Sequence, residues 1–551
     1  MMATINKSNS MRRSMSGRFI SFESSFSWIS FVIILSCGCS CVYLLHSVVL
    51  SRHKFSTVHN FSSSVTQCDT NIFTVEQSLF ASSTKDLNRT QMETVKRTQA
   101  QPKEGAALSR VVFAIAGAAK NWPKRKEYVK KWYNSAEGVR AIIWLDKQVN
   151  ETWEPDAPPF KVSGDTSRFS YTFKGGRRSA VRLARIVSET FRLELPDVDW
   201  FVMGDDDTFF FPMNLVKVLS KYDHRKMYYI GSNSETHSQN VFFSFKQAFG
   251  GGGFAISYGL AMELAPMQDS CLLRQGIQSI CWLKKLHLDF LTITRGVGYD
   301  RYPHLYGSDD RVFACMSELG VSLTKESGFH QMDIQGDPTG LLATHPQTPL
   351  VSIHHMDLFY PIFPNRTRLE AMDHLLKAAE VEPYSLLQQS ICYADHGNWS
   401  ISISWGYVVQ VYKGFLTPKD LETPLRTFNT IRRKNADVDF SFNTRPVPQG
   451  LCMRPSLYYM QSVNGSSARI DGLIESIYRK TNDLKRQGKC AEKLRPLTSV
   501  HRIRVLKEPT KDSWFEAPRR SCCQVKDWST DSIEVHLTGC QHGETFLGIT
   551  E

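Results

Sequence analysis

At Arg110 the chain passes from polar text into VVFAIAGAA, a run apolar at almost every position and of strand length, the pattern of a strand buried on both faces. KRKEYVKKWY follows and reads as a helix, and VRAIIWLD then reads as a second buried strand. Strand, helix, strand predicts a parallel α/β sheet. The alternation continues with a helix over Arg177 to Leu195, a short strand at Trp200 to Met203 and a helix over Pro212 to Tyr222. A nucleotide-binding α/β domain over 108–360 is the natural reading. After about Pro361 the text becomes strand-like, as in WSISISWGYVVQVYKG, and ends in the cysteine-bearing APRRSCCQV. We read 361–525 as a β-rich accessory region and 526–551 as a tail. No internal repeat is visible.

The first hundred residues follow another logic. Phe26 to Leu50 is long and apolar enough to cross a bilayer, carries no Asp, Glu, Lys or Arg, and exceeds the length of a signal-peptide core. Lys7, Arg12, Arg13 and Arg18 precede it, so the positive-inside bias makes 1–25 a cytosolic tail and sends the rest into a lumen. Residues 51–107 are rich in Ser, Thr, Gln and Asn and lack apolar periodicity, as an extended stem would. Asn60, Asn88, Asn150, Asn365, Asn398 and Asn464 all open Asn-x-Ser/Thr sequons beyond the span. Ten of the thirteen cysteines also lie beyond it without zinc spacing, which points to disulfides in an oxidising compartment.

Chain length, 551 residues, favours two folded units. A net charge of +12 would suit nucleic acid, but the basic residues are scattered and no nucleic-acid motif accompanies them. The sharper chemistry lies in VDWFVMGDDDTFFF, where an apolar strand delivers Asp205, Asp206 and Asp207 at its C-terminal end, the edge at which α/β sheets bind ligands. Three adjacent carboxylates repel one another. A hard cation such as Mg²⁺ or Mn²⁺ bridging a diphosphate relieves that repulsion, whereas a solvated acidic turn is the commoner fate of such clusters. Arg178, Arg182 and Arg185 fall on one helical stripe just upstream and are positioned to counter a diphosphate, with Arg125 a weaker candidate; a solvated face is the plain alternative. Gly250 to Gly253, with Gly251, Gly252 and Gly253 opening the apolar FAIS, lets backbone approach a ligand where a Cβ would clash.

In order along the chain, DDD after an apolar strand, GGGGFAIS from Gly250 and LYGSDDR from Leu305 resemble the Fringe-type β-1,3-glycosyltransferases of glycosyltransferase family 31, and more closely their plant relatives, long labelled a domain of unknown function. SGDTSRFSYT, ELGVSLTKESGFHQMD, SICYADH, SWGY, FNTRP and APRRSCCQV extend the likeness over roughly 108–525. The resemblance implies a GT-A fold with a mixed, mostly parallel sheet, a type II Golgi membrane protein, a UDP-sugar donor, a glycan or glycoprotein acceptor and inversion at the anomeric carbon. It makes Asp207 a Mn²⁺ (or Mg²⁺) ligand and puts Asp205 and Asp206 on the donor ribose, sugar or metal waters. His330 in GFHQMD becomes the histidine completing the metal site, with His354 and His355 as fallbacks, and Asp146, ending AIIWLD, contacts the uridine. Of the acidic pair Asp309 and Asp310, it makes the second the catalytic base, although both residues alone read as acids complementing a helix N-terminus.

One departure is an insert between Leu273 and Arg301, RQGIQSICWLKKLHLDFLTITRGVGYD at 274–300, which these relatives lack. We read it as the translation of a retained intron; the alternative is a loop over the acceptor site. The expectation is therefore a metal-dependent inverting transferase. A metal-dependent phosphohydrolase and a lumenal sugar-binding or scaffold protein with a degenerate transferase fold are the rivals. The joint presence of the DDD, His330 and Asp310 argues against the last.

Overall fold

The computed structural model describes residues 106–149, 152–273, 302–394, 397–431, 440–464, 472–481, 497 and 499–549. The expected membrane span, the stem and the 274–300 insert lie outside the described residues, among which no helix is long and apolar enough to cross a membrane. In chain order the strands of the first half are β1 (Val111–Ala116), β2 (Arg140–Leu145), β3 (Phe160–Val162), β4 (Trp200–Asp205), β5 (Phe209–Phe210), β6 (Tyr229–Gly231), β7 (Phe254–Ser257), β8 (Leu323–Lys325), β9 (Phe329–His330), β10 (Ile334–Gly336) and β11 (Ser352–Ile353). The helices needed below are α1 (Trp122–Trp132), α2 (Ser179–Phe191), α3 (Pro212–Leu219), α4 (Tyr258–Leu273) and α5 (Ser308–Glu318).

Seven strands form the main sheet in the order β3-β2-β1-β4-β7-β6-β8. The first four are mutually parallel, β7 runs antiparallel to β4 and β6, and β8 is parallel to β6. This mixed sheet fits a GT-A-like α/β fold. The apolar runs read in the sequence are its central strands: β1 and β4 are buried almost throughout, as strands covered on both faces must be. α1 starts with Pro123 in its first turn and buries Trp122, Tyr128, Val129 and Trp132. α2 covers the opposite face through Val181, Ala184 and Val187.

Register decides where chemistry can gather. Ala116 on β1 is level with Trp144 on β2 and with Asp205 on β4, so three parallel strands end together. Because β7 is antiparallel to β4, with Met203 opposite Phe254, the four glycines preceding β7 arrive at that same edge. A small second sheet, β5-β11-β9, leaves the main one immediately after the acidic triplet.

The C-terminal strands are β12 (Gln389–Ala394), β13 (Trp399–Ser404), β14 (Val408–Lys413), β15 (Phe428–Thr430), β16 (Ser456–Val463), β17 (Ile474–Lys480), β18 (Arg502–Lys507), β19 (Cys522–Trp528) and β20 (Ser532–Thr538). All but β15 form an eight-stranded sheet, β12-β13-β14-β16-β17-β18-β20-β19, antiparallel except between β18 and β20. Its first and last strands are tied by the Cys392–Cys523 disulfide, and Cys522–Cys540 secures the chain beyond β20. Residues from Gln101 onward form one compact unit, and a single apolar cluster contains Phe113 and Val202 of the first half and Ile401 and Val505 of the second. The boundary expected near Pro361 thus falls beside Ile362 and Phe363, inside a shared core.

Candidate active site

The site is assembled at the common end of β1, β2 and β4. Asp205 closes β4, Asp206 donates its backbone N–H to the Ala116 carbonyl at 3.0 Å, and Asp207 turns toward the small sheet. There β5 pairs with β11, and His354 follows directly after β11. Its Nε2 lies 3.1 Å from Asp207 Oδ1 and 3.9 Å from Asp205 Oδ2. Its Nδ1 is 3.3 Å from the Gln331 carbonyl oxygen, an atom that only accepts, so that bond fixes the proton on Nδ1. Nε2 then presents a lone pair to two carboxylates. Only a second proton or a cation makes that arrangement favourable, and ligand atoms of Asp205, Asp207 and His354 all lie within 4.8 Å of one another. Two carboxylates and an imidazole oriented through its other nitrogen fit a divalent metal such as Mn²⁺.

His330 stands elsewhere. It ends β9, level with Ile353, and β11 separates it from β5 and the acids. Its Nδ1 faces Glu235 Oε1 at 3.3 Å, and its buried Nε2 has no partner among the described residues. The geometry therefore offers His354, the fallback, rather than His330 to the acidic triplet. His355 has a positive φ of 53° and turns toward Asp333, its Nδ1 3.2 Å from Oδ1.

Electrostatics separates the three acids. Burial opposes ionisation of Asp207, but His354 and Arg125 outweigh it and hold its carboxyl well below the usual carboxylate range. Burial and the charge of Asp207 push Asp206 up to about 7. The Asp205 side chain remains 41 % exposed, yet desolvation in the cleft and the neighbouring Asp207, Asp309 and Asp206 raise its pKa well above normal. Without a cation, then, this cluster does not carry three full charges.

The glycine run is the floor. A Cβ on Gly250 would stand 2.5 Å from Asp309 Oδ1, and one on Gly251 would overlap the His354 ring. The Gly252 N–H donates to Gln331 Oε1 at 2.6 Å, and Gly253 adopts φ +83° with a Cβ position that Phe210 excludes. Gly250, Gly251 and Gly253 thus each leave room for a different side chain, and Gly252 for the backbone of His330 and Gln331.

Asp309 and Asp310 open α5, and they diverge. Asp309 lies in the cleft with Gly250 and Asp205, where burial lifts its carboxyl to about 6. Asp310 Oδ2 accepts the Gly307 N–H at 3.2 Å, one half of a capping box; burial raises its pKa, opposed by that bond and by the nearby Gln247 amide. Both acids are half-buried.

The arginine stripe divides. Arg182 reaches the sheet edge, donating to the Gly117 carbonyl at 2.9 Å and the Trp144 carbonyl at 3.1 Å. Arg178 bonds the carbonyls of Thr166 and Ser167, and Arg185 pairs with Glu189 and Asp269, so neither is brought to the acids. Arg125 on α1, weakly ranked from sequence, makes the closest cationic contact: 2.6 Å to Asp207 Oδ2 and 3.0 Å to Asp357 Oδ2. Asp357 was not anticipated at all. Asp146 is exposed just beyond β2 and accepts the Ala119 N–H at 2.7 Å, which ties down the loop after β1.

The fold and site define an α/β protein in which two aspartates and a histidine, a candidate cation-binding set, meet at the C-terminal edge of a mixed sheet. The chain is Fringe-like. It matches the family described as "Protein of unknown function, DUF604" over residues 239–277 and 293–523, leaving 278–292, within the insert, outside the match. It is similar to the beta-1,3-N-acetylglucosaminyltransferase lunatic fringe of Xenopus laevis, 26 % identical over 223 residues that cover 35 % of this chain and 56 % of that protein. The lunatic fringe proteins of Gallus gallus and Danio rerio match at 42 % and 32 % identity, covering 15 % and 24 % of this chain and 30 % and 32 % of those proteins. The chain thus spans about half the length, or less, of these relatives. A solved glycosyltransferase involved in glycosylation of the major capsid of PBCV-1 aligns at 14 % identity and a TM-score of 0.18, over 29 % of this chain and 66 % of that one.

Proposed function

We propose that this protein is a metal-dependent inverting glycosyltransferase that moves a sugar from a UDP-sugar to a glycan or glycoprotein hydroxyl, forming a β-1,3 linkage. The observation that carries the reading is the meeting of Asp205, Asp207 and His354, whose ligand atoms are within 4.8 Å of one another, at a sheet edge that also receives Gly250 and Asp309. Sequence similarity to the lunatic fringe enzymes supports the transferase class. A bound divalent cation would supply Lewis-acid stabilisation of the diphosphate leaving group.

The chain's own residues do the rest. Asp205, Asp207 and His354 hold the cation, and Arg125 and Arg182 offer positive charge beside the diphosphate. Asp309, beside Asp205, is on the donor side and receives a donor sugar hydroxyl. Asp310, one residue farther along α5 and next to Gln247, faces the acceptor and takes the proton from its hydroxyl as that oxygen attacks the anomeric carbon. Inversion follows from one displacement, with UDP leaving opposite the incoming oxygen. We place this chemistry in the Golgi lumen, with the protein anchored through the apolar segment 26–50.

The test is turnover of a panel of UDP-sugars by the purified protein with Mn²⁺ and candidate acceptor glycans. Asp310→Asn should lower kcat by roughly 10²- to 10⁴-fold and leave UDP affinity unchanged. Asp309→Asn should chiefly raise the donor KM. Release of inorganic phosphate without an acceptor would instead establish a phosphohydrolase, and tight glycan binding without any turnover would leave a sugar-binding protein.

A further inference from the structure

Three sequence segments that the transferase site does not use, SICYADH, SWGY and APRRSCCQV, converge on one cavity in the C-terminal sheet. It measures about 190 Å³ and is lined by Gln389 and Ser390 at the start of β12, Trp405 between β13 and β14, Lys507 at the end of β18, and Trp514 and Arg520 from the segment that follows. Lys507 is 5 % exposed. Its ammonium donates to the Glu508 carbonyl at 2.6 Å and to Thr510 Oγ1 at 3.3 Å, and forms no ion pair with a carboxylate among the described residues. The Arg520 side chain, equally secluded, pairs with Glu422.

Two further groups are unsatisfied. The indole N–H of Trp405 and the amide oxygen of Gln389 are buried without a hydrogen-bond partner among the described residues, and both residues are 1 % exposed. Both residues line the cavity, but the two atoms themselves have almost no accessible surface, so a ligand hydroxyl or ordered water completes them only as the wall yields slightly. A sugar hydroxyl satisfies both kinds, since it accepts from an indole and donates to an amide oxygen. The indole of Trp514, anchored by its N–H to the Arg519 carbonyl at 3.0 Å, offers a flat apolar surface of the type on which the C–H face of a sugar ring lies.

We propose that this cavity is a second carbohydrate site, specific for a carboxylate-bearing sugar, a uronic acid residue of a glycan. The carboxylate meets Lys507, hydroxyls meet Trp405 and Gln389, and the ring packs on Trp514. Burial also drives the Lys507 ammonium down to about 8, a cost that an anionic ligand offsets by favouring the charged form. Glu382 and Glu508 offset only part of that cost; a neutral sugar would add nothing to them, and a bare phosphate would leave the indole surface uncovered.

The site is independent of the transferase reading, so it is tested by binding alone. Calorimetry on the full chain, without donor or metal, uses trigalacturonate, methyl β-glucuronide, galactotriose and inorganic phosphate. At least one of the two uronides should bind at least tenfold more tightly than galactotriose, with phosphate unable to displace it. Lys507→Met and Trp514→Ala should each weaken that binding tenfold or more, which is ~1.4 kcal/mol. Arg519 is an exposed cation in the same cavity wall, so Arg519→Gln, which leaves the core untouched, serves should Lys507→Met fail to fold, and it should weaken uronide binding several-fold. Absence of uronide binding, equal affinity for the neutral trisaccharide, displacement by phosphate, or undiminished binding in all the folded variants would overturn the assignment.

Discussion

Gly251→Ala isolates the proposed metal site from the rest of the fold. Gly251 does not occupy the left-handed region, so alanine meets no backbone strain there; the obstacle is the His354 ring, whose Nε2, the farthest of three clashing atoms, would lie only 2.6 Å from the new Cβ. Ordinary carbon contacts are about 3.5–4.0 Å, and the nearest ring atom, Cε1, would lie at 2.1 Å, so the ring must retreat by roughly 1.5 Å. It is held on its other side by the Gln331 carbonyl and by His355, whose ring centroid is 3.8 Å away. Moving it opens the 3.1 Å approach of Nε2 to Asp207, whereas metal ligation tolerates about ±0.2 Å. We expect Mn²⁺ affinity to fall by roughly 10²-fold, about 2.7 kcal/mol. Overpacking costs about 1–3 kcal/mol of stability, which a domain stable by about 5–15 kcal/mol survives. Isothermal titration with Mn²⁺, with and without UDP, reads the first quantity and thermal unfolding the second. His354→Ala removes the obstacle, so adding Gly251→Ala to it should cost almost no further stability, a strongly non-additive cycle. Wild-type Mn²⁺ affinity in Gly251→Ala, or additive destabilisation in the double variant, would refute the steric argument; unchanged affinity in His354→Ala as well would remove the metal assignment itself.

Three other outcomes follow from the same contacts. Arg125→Met frees the carboxylate of Asp207 from its 2.6 Å partner, so Mn²⁺ alone should bind several-fold more tightly while UDP in the presence of Mn²⁺ binds about tenfold more weakly, and a titration showing both moving together would contradict this. Lys507, lowered by burial from its ordinary value of 10.5 to about 8, carries fewer protons when folded than unfolded between those pH values, so its contribution makes stability rise with pH across that window. Below it the buried charge costs about 3 kcal/mol, and Lys507→Met should recover part of this at pH 7 in chemical denaturation. Of the three sequons at described positions, Asn365 and Asn398 are exposed whereas Asn464 is half-buried with its amide bonded to Glu475, so in secretory-pathway expression Asn365→Gln and Asn398→Gln should each remove endoglycosidase-sensitive mass and Asn464→Gln little.

Long buried elements announced themselves in the sequence because periodicity and burial coincide in them. VVFAIA, RAIIWL and WFVM are central parallel strands with both faces covered, and SISIS and VVQVY are their counterparts in the C-terminal sheet. The candidate metal site was half legible for the opposite reason. Its acids end a readable strand, but its histidine sits after a two-residue strand, and β5, β9 and β11 are all too short to carry a period. Nothing in GFHQMD or SIHHMD tells which histidine is one strand nearer to the triplet; only the order β5-β11-β9 does. Helical spacing misled for Arg185 in the same way, since its stripe is real but Glu189 and Asp269 consume its charge. Arg125 and Asp357 are 232 positions apart in numbering and meet only because α1 packs beside the small sheet.

That small sheet also explains why the C-terminal region is more than an appendage to the catalytic half. Asn214 on α3 donates to the carbonyl of Leu350, just before β11, and to that of Pro383, just before β12, so one amide ties the strand leading to His354 to the entry of the second sheet. β10 pairs with β15, which places text from beyond residue 400 against the segment that follows His330. Ser441 donates its N–H to the Glu235 carbonyl, while the carboxylate of Glu235 receives Met332 N–H and faces His330. The loops that position both histidines are therefore braced by residues from 383 to 441, and the shared apolar cluster runs on through Trp405 and Tyr458. A catalytic half ending at 360 would expose this apolar surface and release the anchors of β9 and β11 together. The geometry around Asp207 is thus a property of the whole unit from Gln101 onward, and the distance from His354 to Asp207 depends on strands that never touch the proposed cation site.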